Sequence, residues 1–373
     1  MASGSSEVAE RRGVKHLANI RFEVYEPARI EPPNRDAEEA GSNRWRGGRI
    51  YLPAFSVVAV LIGLVGLGWS NNWGGSKFSD SMSQMRVVVI GPMTIFIVGA
   101  ILIVERLRPA QLRPIFARGY RQDALYALLN ACLVVPMVVA LSLSLTDAIM
   151  RYLPWIVIPR FGLVPRWAAI TLVFVLMDGC NWLAHLANHR FRMLWRFHEL
   201  HHSQEDMSVL TVFRTHPLIH VSYLIALIPG IVLVANGIVP TALLVAYAGF
   251  VALEHSNINL GFGLLERIVV SPNYHRIHHK LDGPHDVNLG FALTIWDQLF
   301  HRAVFPTEQT VRTDTGLPGR PLVVEQSTVR PRHLSVLVAQ LMGPFRPLDD
   351  GGDAFRPLEE ANVTAADPGA VRP

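Results

Sequence analysis

Three clusters of histidine stand out in this chain: His185 with His189, His198 with His201 and His202, and His275 with His278 and His279. On a helix, residues three and four apart share a face, so each cluster presents convergent ring nitrogens. Imidazole binds Fe, Zn, Cu and Ni well. With no Cys and few carboxylates in the clusters, the expected shell is nearly all nitrogen and able to hold redox-active iron. Eight imidazoles exceed the needs of one ion and suit two. With 15 histidines in 373 residues, a shuffled chain would show one HxxHH about 2% of the time by simple frequency, and this chain has two. The clusters are therefore read as metal-binding.

Further residues join them. His255, in Glu254-His255-Ser256-Asn257, ends an apolar run in the layer where the clusters lie and is read as a ninth ligand. His216 opens an apolar run and suits a cap or headgroup contact as well as a ligand. His285 and His301 lie close enough to the third cluster to support its ligands, whereas His16, His220 and His333 read as background. Asp178 precedes His185 by seven residues on nearly the same helical face. A carboxylate in an apolar segment needs a partner, and the expected one is the free ring N–H of His185, which Asp178 would orient.

The elements that must position these residues are apolar helices. Half the chain is hydrophobic and the mean hydropathy is +0.27, high for a soluble protein. Uncharged runs at 50–70, 87–104, 124–146, 167–184, 217–235 and 238–253 approach the length needed to cross a hydrocarbon core of roughly 30 Å. The fold class expected is all-α: a polytopic membrane bundle of roughly four to six membrane helices under a cytoplasmic histidine-rich cap. Residues 1–48 read as a polar, disordered arm, 49–166 as N-terminal membrane helices, 167–302 as the histidine-box catalytic domain and 303–373 as a polar Pro/Gly-rich tail. A short apolar stretch at 334–343 suits the membrane surface.

Orientation follows from arginine placement, since positive loops stay in the cytoplasm. Arg44, Arg46 and Arg49 precede the first run and Arg106, Arg108, Arg113, Arg118 and Arg121 follow the second, while the loop between offers only Lys77 and Arg86. Continuing the alternation puts the histidine clusters at the cytoplasmic edge. The net charge of +4 arises from these flanking arginines and the C-terminal region, so basicity is read as topology and lipid contact, not nucleic-acid binding. Cys132 and Cys180 lie in apolar runs and offer neither a disulfide framework nor a CxxC site.

His198-Glu199-Leu200-His201-His202 also satisfies HExxH, the zinc-protease signature, and Leu281-Asp282-Gly283 resembles the aspartate motif of intramembrane metalloproteases. An intramembrane zinc metalloprotease and a metal transporter are the competing functions. The HxxHH at His275 lacks the Glu, so what recurs is the histidine pattern rather than the catalytic acid. A transporter's ligands should sit midway through the spans, not at their edge.

Taken in order, several motifs resemble the fatty acid hydroxylase and sterol desaturase superfamily of integral-membrane dimetal enzymes. They are Asp178 before His185-x3-His189, His198-x2-His201-His202-Ser203, Arg214-x-His216-Pro217, His255-Ser256-Asn257, Pro272-x2-His275-x2-His278-His279, and Asn288-x-Gly290 leading to Trp296-Asp297. The resemblance covers roughly 170–300. It implies a diiron centre bound by the box histidines, dioxygen as co-substrate, and a lipid C–H bond converted to a hydroxyl or a double bond. Family members often carry Asn-Tyr-Gly and Phe-Gly-Thr where this chain has Asn288-Leu289-Gly290 and Phe300-His301-Arg302. No haem, flavin or iron–sulfur motif is visible. Electrons are therefore expected from a separate carrier, a ferredoxin or a small haem protein with its reductase.

Overall fold

The computed structural model describes residues 80–84, 91–113, 119–158, 163–234, 241–281, 283, 285–317 and 333–345. The expected N-terminal arm, the first apolar run, the junction between the last two runs at 235–240 and Asp282 fall outside these residues. Among the described residues every regular element is helical, and pairing between extended segments is limited to isolated bridges such as Val269 with Leu293.

Helix α1 (Pro92–Leu107) starts on a proline in its first turn. The run expected at 124–146 belongs to a longer rod, α2, spanning Tyr120–Tyr152, with a π-helical turn at Asn130–Val134. Helix α3 (Arg166–Arg190) follows Pro165 and stops where Phe191 turns extended; α4 (Arg192–His202) begins at the next residue. After a 3₁₀ turn at Val209–Phe213, the run expected as one span at 217–235 starts as a 3₁₀-helix, Pro217–Leu227, and continues as α5 (Ile228–Val234). Then come α6 (Thr241–Glu254), α7 (Pro272–His278), α8 (Ile295–Leu299), α9 (Glu308–Val311) and α10 (His333–Met342).

Two helices, Tyr120–Tyr152 and Trp167–Arg190, are long and apolar enough to cross a membrane, and Pro217–Leu233, Val245–Glu254 and Val336–Phe345 are shorter apolar helices. The outer surfaces of the long helices expose Leu128, Leu172, Leu176 and Leu183, with Tyr152, Trp155 and Trp167 near their ends. Apolar flanks tipped with aromatic residues suit a lipid environment.

Between these helices and the histidine layer, buried polar residues tie the chain together. Glu105 of α1 accepts the backbone N–H groups of Val209 and Asn257 at 2.7 and 2.9 Å. Arg214 and Asp123 form a fully buried ion pair at 2.6 Å that fixes the start of α2 against the 209–213 turn. His216 is the cap that its position before Pro217 suggests. Its Nδ1 accepts from Leu218 N–H and its Nε2 faces the Leu341 carbonyl at 3.1 Å, away from the metal-type nitrogens.

The tail boundary expected at 302 does not separate a tail from the core. Leu281 N–H donates to the Asp314 carbonyl and Gln111 to that of Thr313. Nor does the 334–343 stretch lie free on a membrane surface. It forms α10, whose Leu337 packs with Tyr126 and Leu200 and whose Gln340 accepts from the Tyr126 hydroxyl at 3.0 Å. An amphipathic helix can bury its apolar face in protein as readily as in lipid.

Candidate metal centre

The histidines come from four places in the chain, and the fold brings them into two adjacent groups. His185, His189, His198, His202 and His278 form one; His201, His255, His275 and His279 form the other; within each group the ligand atoms lie within 4.8 Å of one another and every residue is buried. The sequence boxes do not map one-to-one onto the groups. On α4, His198 and His202, four apart, face the first group, while His201 is rotated toward the second. The third box is divided in the opposite sense, with His278 in the first group and His275 and His279 in the second. The groups share a wall where the rings of His202 and His279 stack 4.5 Å apart.

The inner nitrogens test whether these groups fit metal. His185 Nε2 lies 3.0 Å from His198 Nε2, which lies 3.2 Å from His202 Nε2. In the second group His255 Nε2 is 2.9 Å from His201 Nε2 and 3.1 Å from His275 Nε2. Two nitrogens at right angles about an ion with bonds of about 2.1 Å would be about 3.0 Å apart. Neutral rings can bridge only some such contacts by sharing a proton. His189 Nε2, His278 Nε2 and both nitrogens of His279 have no hydrogen-bond partner although buried, and orphaned polar atoms at such density are rare unless an ion satisfies them. The residues fit two nitrogen-bound ions.

On the far side of the rings, backbone carbonyls fix the tautomer. His185 Nδ1 donates to the Leu289 carbonyl at 2.9 Å, His278 Nδ1 to that of Val287 at 2.9 Å, and His255 Nδ1 to that of Val251 at 2.7 Å. With Nδ1 protonated, each ring turns an Nε2 lone pair inward. Burial, followed by the neighbouring imidazoles, holds the pKa of His198, His202, His275, His278 and His279 well below the ordinary histidine value. The rings are therefore neutral, the form that binds metal. His285 lies beside the first group. Its Nδ1 contacts the His278 carbonyl at 3.2 Å and its ring lies 5.4 Å from that of His202.

Asp178 does not orient His185. Sharing a helical face ignores the axial rise, roughly 10 Å over seven residues, which places the carboxylate two turns away. It accepts instead from the N–H groups of Ala292 and Leu293 at 3.0 and 3.1 Å and from Trp296 Nε1 at 3.2 Å, while Leu289 takes the His185 proton. Asp178 acts on the loop that carries this carbonyl. Asp297 holds the same loop from the other side, accepting from Leu289 N–H at 2.9 Å, Gly290 N–H at 3.0 Å, Trp182 Nε1 at 2.8 Å and the Tyr274 hydroxyl at 3.1 Å.

The loop explains the outlying motifs. A Cβ on Gly290 would sit 2.6 Å from the Leu293 carbonyl oxygen, and one on Gly179 would meet the Trp296 ring at 2.7 Å, so both positions need glycine for close approach. Asn288 has φ of 53° and His301 φ of 55°. Asn tolerates this left-handed region, and its amide bridges the Tyr274 and Val304 carbonyls at 2.8 Å. His301 occupies the position where the resembling family carries glycine, and the backbone keeps the conformation that glycine suits. His301 is exposed and belongs to neither histidine group.

Asp178→Asn should therefore lower stability by roughly 1–3 kcal/mol, the scale for leaving buried donors facing an amide that cannot accept from all of them, while metal content per chain stays near wild type. Thermal melting and elemental analysis of the same preparation check this. Metal loss without a change in melting would restore Asp178 as the residue that orients His185.

A helical bundle enclosing two all-imidazole groups has the lining that a histidine-box metal site requires. Residues 170–302 match the family profile described as fatty acid hydroxylase, and this domain belongs to the fatty acid hydroxylase superfamily. The chain is 35% identical over 164 residues to the ornithine lipid hydroxylase OlsE of Rhizobium tropici, covering 42% of this chain and 47% of that protein. It is 28% identical over 135 residues to an alkylglycerol monooxygenase of Danio rerio, covering 35% of this chain and 29% of that protein. It is 24% identical over 190 residues to the very-long-chain aldehyde decarbonylase GL1-7 of Oryza sativa subsp. japonica, covering 44% and 30%. The chain thus spans about half the length, or less, of the curated relatives it matches. No solved structure matches it.

Proposed function

We propose that the chain is a membrane-embedded, dioxygen-dependent lipid hydroxylase or desaturase with two iron ions. His185, His189, His198, His202 and His278 would hold one, and His201, His255, His275 and His279 the other. The observation carrying this reading is the division of nine buried imidazoles into two groups with no carboxylate in either. Iron bound there supplies the capacity to activate dioxygen and remove hydrogen from an unactivated C–H bond. The protein's own contribution is to keep the imidazoles neutral, to orient them through the carbonyls of Val251, Val287 and Leu289, and to exclude bulk water by burying every one. The printed names of the relatives support a lipid substrate, and two of the three are hydroxylases or monooxygenases, which favours a hydroxyl over a double bond. A sterol remains within the proposed substrate class.

In this reading the substrate enters from the bilayer along the apolar helices and presents its oxidisable carbon to a centre at the cytoplasmic edge. The arginine distribution supports that orientation. Electrons come from a separate ferredoxin or small haem carrier with its reductase. A zinc protease of the HExxH type needs two histidines, a further ligand and an open position. Here the HExxH pair, His198 and His202, is joined by three more imidazoles.

The test combines composition and product. Purified, iron-loaded protein should contain two irons per chain, and lipid extracts of a deletion strain should lack an oxidised lipid that the complemented strain regains. A stoichiometry of one or less that iron loading cannot raise, or identical extracts, would sink the proposal.

A further inference from the structure

Seven carboxylates are buried among the described residues: Glu105, Asp123, Asp178, Glu254, Glu266, Asp286 and Asp297. Six of them accept hydrogen bonds. Asp178, Asp297 and Glu105 take backbone N–H groups, as described above. Asp123 pairs with Arg214, Asp286 with Arg302 at 2.7 Å, and Glu266 accepts from Phe262 N–H and the Ser271 hydroxyl. Glu254 is the exception, because neither carboxylate oxygen has a hydrogen-bond partner, although the residue is 1% exposed.

Glu254 ends α6 and directly precedes His255. Its Oε1 lies 3.5 Å from His255 Nδ1, but the proton on that nitrogen is directed to the Val251 carbonyl at 2.7 Å. The other ionisable neighbours are Asp178, Tyr223 and Tyr247, none of which is cationic. An unpaired buried carboxylate is strongly unfavourable, so the group is either neutral or matched by positive charge nearby. Two divalent ions among neutral imidazoles would bring a charge of roughly +4 into a site without a carboxylate ligand, and in a dry interior such charge acts over several ångströms.

We infer that Glu254 is the counter-charge of the four-imidazole position, acting through His255 as a positioning residue and making the two metal positions unequal. Among the seven buried carboxylates, Asp286, next in sequence to His285 beside the five-imidazole group, is neutralised by Arg302 and faces Arg190 at 3.9 Å. The inference rests on the two-metal reading above. It implies that one ion is held with the help of Glu254 and the other without it.

The experiment uses full-length protein in detergent, with wild type and Glu254→Gln loaded with ferrous iron and titrated with a chelator, and each metal-free form melted separately. Wild type should hold two irons. Glu254→Gln should release one of them at roughly 10- to 100-fold lower chelator concentration, the scale for losing an outer partner of a ligand, and keep the other unchanged. Its metal-free form should melt at a higher temperature than metal-free wild type, since the substitution removes a carboxyl that folding must either bury charged without a partner or neutralise at a cost. Should Glu254→Gln not fold, Glu254→Leu carries the same two expectations. Wild type with two irons and a variant that binds both equally well overturns the assignment of Glu254, as does a metal-free variant that melts lower, which would make the carboxylate structural. A wild-type chain that takes up no iron overturns the two-metal reading and this inference with it.

Discussion

His202→Ala should reduce lipid oxidation to below about 1% of wild type, a larger loss than the roughly 10- to 100-fold caused by removing an outer-shell partner. His202 belongs to the five-imidazole group and its ring stacks on His279 of the other, so its removal opens the wall between the two positions. Iron content should fall as well. Glu199→Gln provides the contrast, because Glu199 belongs to neither histidine group. In a zinc protease this residue would be the general base, whereas here Glu199→Gln should retain most of the lipid oxidation and the full iron content. Activity of both variants is read from product lipid in membranes matched for protein amount. The reverse ranking, with Glu199→Gln inactive and His202→Ala active, would favour hydrolytic chemistry.

The second large effect is acid lability. Burial, followed by neighbouring imidazoles, lowers the pKa of His198, His202, His275, His278 and His279 well below 6.5. Above pH 6.5 these rings are neutral in both folded and unfolded chains, so their titration contributes no pH dependence there. Below 6.5 the unfolded chain takes up protons that the folded chain refuses, and stability falls as the pH drops toward the folded pKa values. Each such group costs about 1.4 kcal/mol per pH unit, so several acting together rival the roughly 5–15 kcal/mol of a typical fold within about two units. Metal binding adds to this, since protons compete for the same nitrogens. Melting temperature and retained iron should both be flat from about pH 7 to 8.5 and fall together below about 6.5. Iron retained with unchanged melting at pH 5 would mean that the imidazoles are not the ligands.

The sequence alone determined the chemistry available. Histidines three and four apart on helices must lie on adjoining turns and close together whatever the helices pack against, and the apolar runs could form little but helices. Glycine at 290 and the Trp296-Asp297 pair were legible as motifs, though not in their purpose, because they work through contacts between distant segments. Tertiary structure decided how the nine imidazoles divide. Consecutive residues on α4 point about 100° apart, so His201 and His202 reach different groups, and which group each meets depends on what packs against that helix. It also decided what supports the rings. Any residue offers a carbonyl, so Val251, Val287 and Leu289 left no signal in their side chains, while Asp178, chosen for its helical angle, was two turns too distant along the axis. Glu254 was visible beside His255, but its lack of a donor exists only once the helices around it are packed.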